Sequence, residues 1–255
     1  MNKKIVLTVS GGADSAVLLH KACEEYSEVH TITFDYNQRH NTEISCALKL
    51  IQHACRKYPN VTITNQIIDM MLLNRLANVS SLTNNDIETP TTDTVIGEAQ
   101  PKTYVPFRNL LFITVCCSYA ESVGADVVWY GAAQVDSLAG YWDSDYPFVN
   151  TINEITKLNR HHRITIEAPL LDLSKKEIME LGVNLEVPFD KTFTCYSGAS
   201  PCDAKTASSS LRLKGFIDAK YIDPIEYKQQ EALNKMYKEN GCIKIPYIDY
   251  KFDVE

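Results

Sequence analysis

The run "KKIVLTVS" (3–10), rich in β-branched residues, stops at Gly11-Gly12 and passes at once into "ADSAVLLHKACEEY" (13–26), where Ala16, Val17, Leu18 and Ala22 cluster as on one face of a helix. A second strand, "EVHTITFDY" (28–36), follows with Val29, Thr31 and Thr33 alternating. Next comes a helix over "NTEISCALKLIQHACRKY" (41–58), with Ile44, Leu48, Ile51 and Cys55 at three-to-four spacing and Pro59 closing it. "NVTITNQIID" (60–69) reads as a third strand. A βαβαβ opening leaves few options, because parallel strands need covered crossovers. The expected fold is α/β, a parallel sheet with helices on both faces.

The pattern lapses from Asn78 to Lys102 into Ser, Thr, Asn and Pro, a long stretch of the kind that serves function inside a compact domain. Order resumes with a helix over "FRNLLFITVCCSYAESVG" (107–124), which stops at Gly124, and a strand over "ADVVWYGA" (125–132). A helix at 146–158, a strand at 163–171 and a helix at 174–185 follow. Ser174 is placed to cap the last of these, with Glu177 at the capping-box position.

Of the 255 residues, 45% are hydrophobic and 22% charged, an ordinary balance for a globular protein. A formal charge of -7 argues against direct binding to nucleic acid, which calls for a basic excess. "IVLTV" (5–9) is too short for a signal peptide, and no run approaches the ~18 apolar residues of a membrane span. The cysteines are Cys23, Cys46, Cys55, Cys116, Cys117, Cys195, Cys202 and Cys242, several of them inside helical patterns. They suit buried free thiols in a reducing cytoplasm better than a disulfide framework.

Between the first strand and helix, Ser10-Gly11-Gly12-Ala13-Asp14-Ser15 gathers backbone N–H groups at the positive end of a helix dipole, a setting that favours an anion. Glycines let those amides approach closely, and Ser10 and Ser15 add hydroxyl donors. The stretch has neither the G-x-x-x-x-G-K-[ST] nor the G-x-G-x-x-G pattern. A tight turn with a Ser or Asp helix cap is the alternative reading. Asp14 cannot bind phosphate itself, so it would hold a metal or orient donors.

Seven motifs in order extend this turn: "SGGADS" (10–15), "FDYNQRH" (34–40), "SSLTN" (80–84), "YVPFRN" (104–109), "GAAQVDSLAGYWDSD" (131–145), "APLLDLSKKEI" (168–178) and "TFTCYSG" (192–198). From residue 4 to about 224 the chain thereby resembles the 7-cyano-7-deazaguanine synthases among the ATP pyrophosphatases, whose fold is a Rossmann-like, adenine nucleotide alpha hydrolase-like sheet. The resemblance implies a division into a pyrophosphatase domain (1–185), a substrate-site segment (186–224) and a C-terminal extension (225–255).

It also implies a reaction. ATP with Mg2+ adenylates the carboxylate of a small 7-deazaguanine acid, pyrophosphate leaves, and an amine then displaces AMP. Ser10, Gly11, Gly12, Ala13 and Ser15 would face phosphates together with Arg108 and Lys175, and Asp14 would organise metal or water. Phe34, Arg39 and Gly131 would complete the nucleotide site. Gln38, His40, Asn109, Asp136, Tyr141 and Asp143 would bind the substrate. Lys175 opposes the dipole of its helix, which makes sense beside a phosphate.

The chain departs from the family at three places. Of four zinc cysteines, only Cys195 is matched; the C-x-x-C-x-x-C positions fall on Asp203, Thr206 and Ser209, with Cys202 one residue out of register. Zinc is therefore not expected, and "SPCDAKTASSSLRLKGF" (200–216) should be held by packing alone, as a helix from Asp203. "YWDS" (141–144) stands where the family reads more like "YPDC". A tail follows residue 224, with a short helix through Tyr227, Leu233 and Met236, a stop at Gly241 and an extended "CIKIPYIDY" (242–250). Too small to fold alone, it should dock on the body or on a second subunit, and a homodimer is expected. The lost cysteines and the altered "YWDS" leave the product open between the nitrile, the amide, and transfer of the activated deazaguanine to a protein amine, as in phage defence. The rival from another class is a non-catalytic nucleotide-binding subunit.

Overall fold

The computed structural model describes residues 3–36, 42–77, 79–83, 86–87, 102–193 and 201–253. Its centre is a sheet of five strands: β1 (Lys4–Thr8), β2 (Glu28–Asp35), β3 (Thr62–Asp69), β4 (Val127–Trp129) and β5 (Thr165–Glu167). They run in the order β3-β2-β1-β4-β5, and every pairing is parallel. The α/β fold read from the sequence is the fold found. The chain leaves β1 toward one edge and returns beside it as β4, so a crevice opens past their carboxyl ends, where ligands of open sheets bind.

Alternation along β1 explains the two layers. Ile5 and Leu7 project into one core with α1 (Ala13–Glu25), α2 (Thr42–Lys57) and α7 (Lys175–Asn184). Val6 projects into the other, with α4 (Arg108–Val123) and α6 (Tyr146–Thr156). Helix α1 is buried on nearly every side, from Ala13 to Cys23, because it lies between the sheet and its neighbouring helices. Gly124, at φ +71, ends α4 in the left-handed conformation, as its position predicts. The capping box of α7 also forms: the Ser174 N–H donates to Glu177 Oε2 at 2.8 Å, and the Glu177 N–H to Ser174 Oγ at 3.3 Å.

Several expectations need correction. β4 and β5 are three residues each, shorter than the apolar runs that contain them. Two short helices, α3 (Met71–Leu76) and α5 (Gln134–Leu138), lack a recognisable period in the sequence. Helix α8 runs Ala207–Asp218, not from Asp203, and Thr206 caps it. Helix α9 (Gln230–Glu239) is the expected tail helix, but the segment beyond it turns at Pro246 and shares only one bridge, Ile243 with Tyr221.

Packing alone does not hold the C-terminal part. Arg212, fully buried, donates from Nε to Asp223 Oδ2 and from a terminal nitrogen to Asp223 Oδ1, both at 2.8 Å, and reaches Thr192 Oγ1 and the Phe189 carbonyl as well. The Tyr227 hydroxyl adds a third donor to Asp223 at 2.8 Å. Leu233 and Tyr237 of α9 close a small core with Cys202, Ile222 and Tyr227, so the tail docks on the body of its own chain. Among the described residues, no helix is long and apolar enough to cross a membrane.

Candidate functional site

The crevice between β1 and β4 is a cavity of about 310 Å3, within the usual size for a small-molecule site. Ser10, Gly12, Ala13, Asp14 and Ser15 line it from the β1–α1 turn, Phe34 from the end of β2, and Gly131 from the end of β4. Arg108 and Asn109 enter on the first turn of α4, Asp136 and Tyr141 from α5 and the loop after it, and Lys175 on the first turn of α7. Residues as far apart in the chain as Ser10 and Lys175 thus converge on one space. Gln38, Arg39 and His40 lie outside the described residues, as does Cys195.

Within the turn, the Ser15 hydroxyl donates to the Gly12 carbonyl at 3.0 Å and receives the Ser10 hydroxyl at 3.2 Å. The two glycines do different jobs. Gly11 does not line the cavity: at φ +90, a Cβ there would sit 2.3 Å from the Glu43 carbonyl of α2. It lets the turn fold against that helix. Gly12 faces the cavity, and an added Cβ would meet only ordinary contacts, Ser10 Oγ at 3.5 Å and the Phe193 carbonyl at 3.7 Å. At Gly131 a Cβ would point into open space, which leaves the backbone open to close approach by a ligand.

The charged groups are paired across the cavity. Lys175 Nζ donates to both Asp14 oxygens, at 2.7 and 2.5 Å, joining α7 to α1. Gly215 of α8 makes room for it: a Cβ there would lie 2.8 Å from Lys175 Cγ and 3.1 Å from the Lys175 carbonyl. Asp136 accepts from the Ala133 N–H at 3.0 Å. Burial raises its pKa, and nearby Asp14 adds repulsion while Lys175 and Arg108 pull the other way. Arg108 donates from Nε to Asn109 Oδ1 at 3.4 Å and hydrogen-bonds the Tyr36 hydroxyl.

Asp143 is buried next to the lining residue Ser144, and its Oδ1 has no hydrogen-bond partner. The Tyr130 hydroxyl, which lines the cavity, also lacks one. Burial raises the pKa of Asp143, with Arg108 opposing the shift. Such orphaned atoms are rare, and Asp143 itself stands behind the lining residues rather than among them.

Reading the sequence missed Thr206 and Ser208, which line the cavity from the start of α8. Thr206 and Ser209 also stand in two of the family's cysteine positions. The Thr206 Oγ1 and Ser209 Oγ lie 2.8 Å apart and the former caps the helix, so the pair is satisfied by hydrogen bonds. Hydroxyls in place of thiolates do not suit a structural zinc.

The family model "Queuosine biosynthesis protein QueC" matches residues 4–220. A 7-cyano-7-deazaguanine synthase from Thermoplasma volcanium is 37% identical over 90% of this chain and 92% of its own length. Proteins of that name from Oceanobacillus iheyensis and Clostridium kluyveri are each 37% identical; they cover 88% and 90% of this chain, and 98% and 100% of their own lengths. Matches of that extent, joined to a switch-point cavity built from the ordered motifs, make this chain a member of the QueC family.

Proposed function

We propose that the protein adenylates a 7-deazaguanine carboxylate, such as 7-carboxy-7-deazaguanine, and passes the activated acyl group to ammonia. The observation that carries this reading is the meeting of the α1 N-terminus, Arg108, Lys175 and Asp14 in one cavity. Ser10, Gly12, Ala13 and Ser15 bind phosphate oxygens through N–H and O–H donors. Arg108 and Lys175 spread the charge that builds up as a carboxylate oxygen attacks the α-phosphorus and pyrophosphate leaves. Phe34, stacked on Phe112 at 3.9 Å, gives the adenine a fixed apolar edge. Asn109, Asp136 and Tyr141, which line the cavity, meet the N–H-rich edge of the deazaguanine, with Asp143 buried behind them next to Ser144.

Asp14 offers a carboxylate with which Mg2+ would be held alongside the substrate phosphates, and that oxygen donor fits the ion. When bound, the ion supplies charge neutralisation at the phosphates. Until ligand enters, Lys175 holds Asp14 in place. Ammonia then attacks the acyl carbon and AMP departs, with the proton lost by the amine going to solvent or to AMP, which gives the amide. The nitrile requires a second ATP to adenylate the amide oxygen, which leaves with AMP as the carbon–nitrogen triple bond forms and the amide protons go to solvent. The C-terminal segment needs no zinc in this reading, because Arg212, Asp223 and the Thr206 cap do the anchoring.

The test is incubation with ATP, Mg2+, 7-carboxy-7-deazaguanine and an ammonium salt, followed by pyrophosphate and mass measurements. Pyrophosphate release that depends on the acid, with a nitrile or amide product, is expected. Its absence overturns the reading. A second reading, transfer to a protein amine, draws on two exposed aromatics outside the cavity lining, Phe107 next to Arg108 and Trp142 next to Tyr141, which are 55% and 41% exposed. A mass-shifted protein in the same assay would identify it.

A further inference from the structure

Beside the cavity, two segments are joined residue by residue. The Thr103 and Tyr141 hydroxyls hydrogen-bond each other, Trp142 Nε1 donates to the Tyr104 hydroxyl oxygen at 2.9 Å, and Asn109 Nδ2 donates to the Asp143 carbonyl at 3.4 Å. One segment ends in Arg108, and the other carries Tyr141 and Asp143. The Trp142 ring meets Phe107 edge-on at 5.5 Å on one side and Phe148 at 5.4 Å on the other.

The turn that delivers Arg108 is held against its own preference. The Arg108 N–H donates to the Val105 carbonyl at 3.1 Å, Pro106 occupies the second position, and Phe107 occupies the third at φ 55. A positive φ after a proline is the signature of a type II turn, whose third position favours glycine. A bulky side chain there is an outlier that persists only when its surroundings hold it. What holds it here is the Tyr104 hydroxyl, which accepts the Phe107 N–H at 3.1 Å as well as the Trp142 indole N–H. Neither Tyr104 nor Phe107 lines the cavity.

We infer that Tyr104 is a positioning residue: its hydroxyl locks Phe107 in the left-handed conformation and ties that turn to Trp142, which fixes where Arg108 points relative to Tyr141 and Asp143. Its effect on turnover rests on the adenylation reading above; the lock itself does not. Arg108 is assigned to the charge that develops during the reaction, so a loosened lock lowers kcat more than it raises KM.

The test uses the full chain as Tyr104→Phe, Phe107→Gly and the double variant. Tyr104→Phe should lower kcat by about tenfold with KM changed less than about threefold, the loss that follows from releasing one strained residue. Glycine adopts φ > 0 freely, so in the Phe107→Gly background the Tyr104→Phe change should cost less than about threefold. The chain has two tryptophans, and Trp129 is 2% exposed, so acrylamide quenching reports Trp142 without any substrate. Tyr104→Phe should raise that quenching. Unchanged kcat and quenching in Tyr104→Phe overturn the inference, and so does an equal loss in both backgrounds. If the wild type releases no pyrophosphate, the adenylation reading fails by itself. The lock is then judged by quenching, and unchanged quenching overturns it.

Discussion

Two ion pairs of this molecule, Arg212–Asp223 and Lys175–Asp14, are opposites. Arg212 and Asp223 are both fully buried, with further hydrogen bonds from Arg212 to Thr192 and Phe189 and from Tyr227 to Asp223. Lys175 and Asp14 keep 13% and 27% of their side-chain surface exposed and face the cavity. The first pair is enclosed and cannot part without leaving charge in an apolar interior. The second can exchange partners when a phosphate or cation arrives, because water is already at hand. Burial and hydrogen-bond completeness, rather than distance, separate an anchor from a working pair.

The sharpest way to break this comparison is at the anchor. Asp223→Ala strands a buried guanidinium and should lower unfolding free energy by about 3–5 kcal/mol in a urea titration. A loss below about 1 kcal/mol would put the two pairs in the same class.

His20 extends the contrast to a buried group with no opposite charge. Its Nδ1 donates to the Ala16 carbonyl at 2.9 Å and its Nε2 lies 3.3 Å from His53 Nδ1, and burial lowers its pKa from 6.5 to about 4, with His53 and Lys57 adding to the shift. The unfolded chain takes up this proton near 6.5 and the folded chain only near 4, so unfolding binds protons between those values. Stability should therefore be full above pH 6.5 and fall as pH drops toward 4, by on the order of 3 kcal/mol from this group. A His20→Phe variant whose stability falls just as steeply would assign the slope elsewhere.

At the working pair the expectation reverses. Lys175→Met should change stability by less than about 1 kcal/mol, yet reduce acid-dependent pyrophosphate release by about a hundredfold or more. Equal losses in stability and rate would make Lys175 an anchor too. The smallest effect is at Gly215→Ala, where the new methyl group meets Lys175 Cγ and carbonyl. A cost of about 1 kcal/mol is expected, with a drop in rate from displacing the lysine. Full activity there would show that the lysine has slack.

Much of the scaffold was legible because its signals are local. The apolar, β-branched run of β1, the pattern of β2, the face of α2, the Gly124 stop and the Ser174–Glu177 box each depend on residues within a few positions of one another. The short elements α3 and α5 were not legible, since five or six residues carry no period. Among site residues, the motifs bring Ser10, Asp14, Arg108, Asp136 and Lys175 together as expected. The separate purposes of Gly11 and Gly12 were invisible, because the reason for Gly11 is the backbone of α2, more than thirty residues away.

By itself, then, the sequence determined the strand–helix order, the glycine turn between β1 and α1, and the family. Only the tertiary structure decided that Lys175 closes on Asp14, that Arg212 and Asp223 anchor the C-terminal part, and that Tyr104 contacts a strained turn. The physical reason is range. Periodicity and capping act over one or two turns of chain, whereas burial and charge pairing are properties of space, set by which distant segments the sheet order makes neighbours.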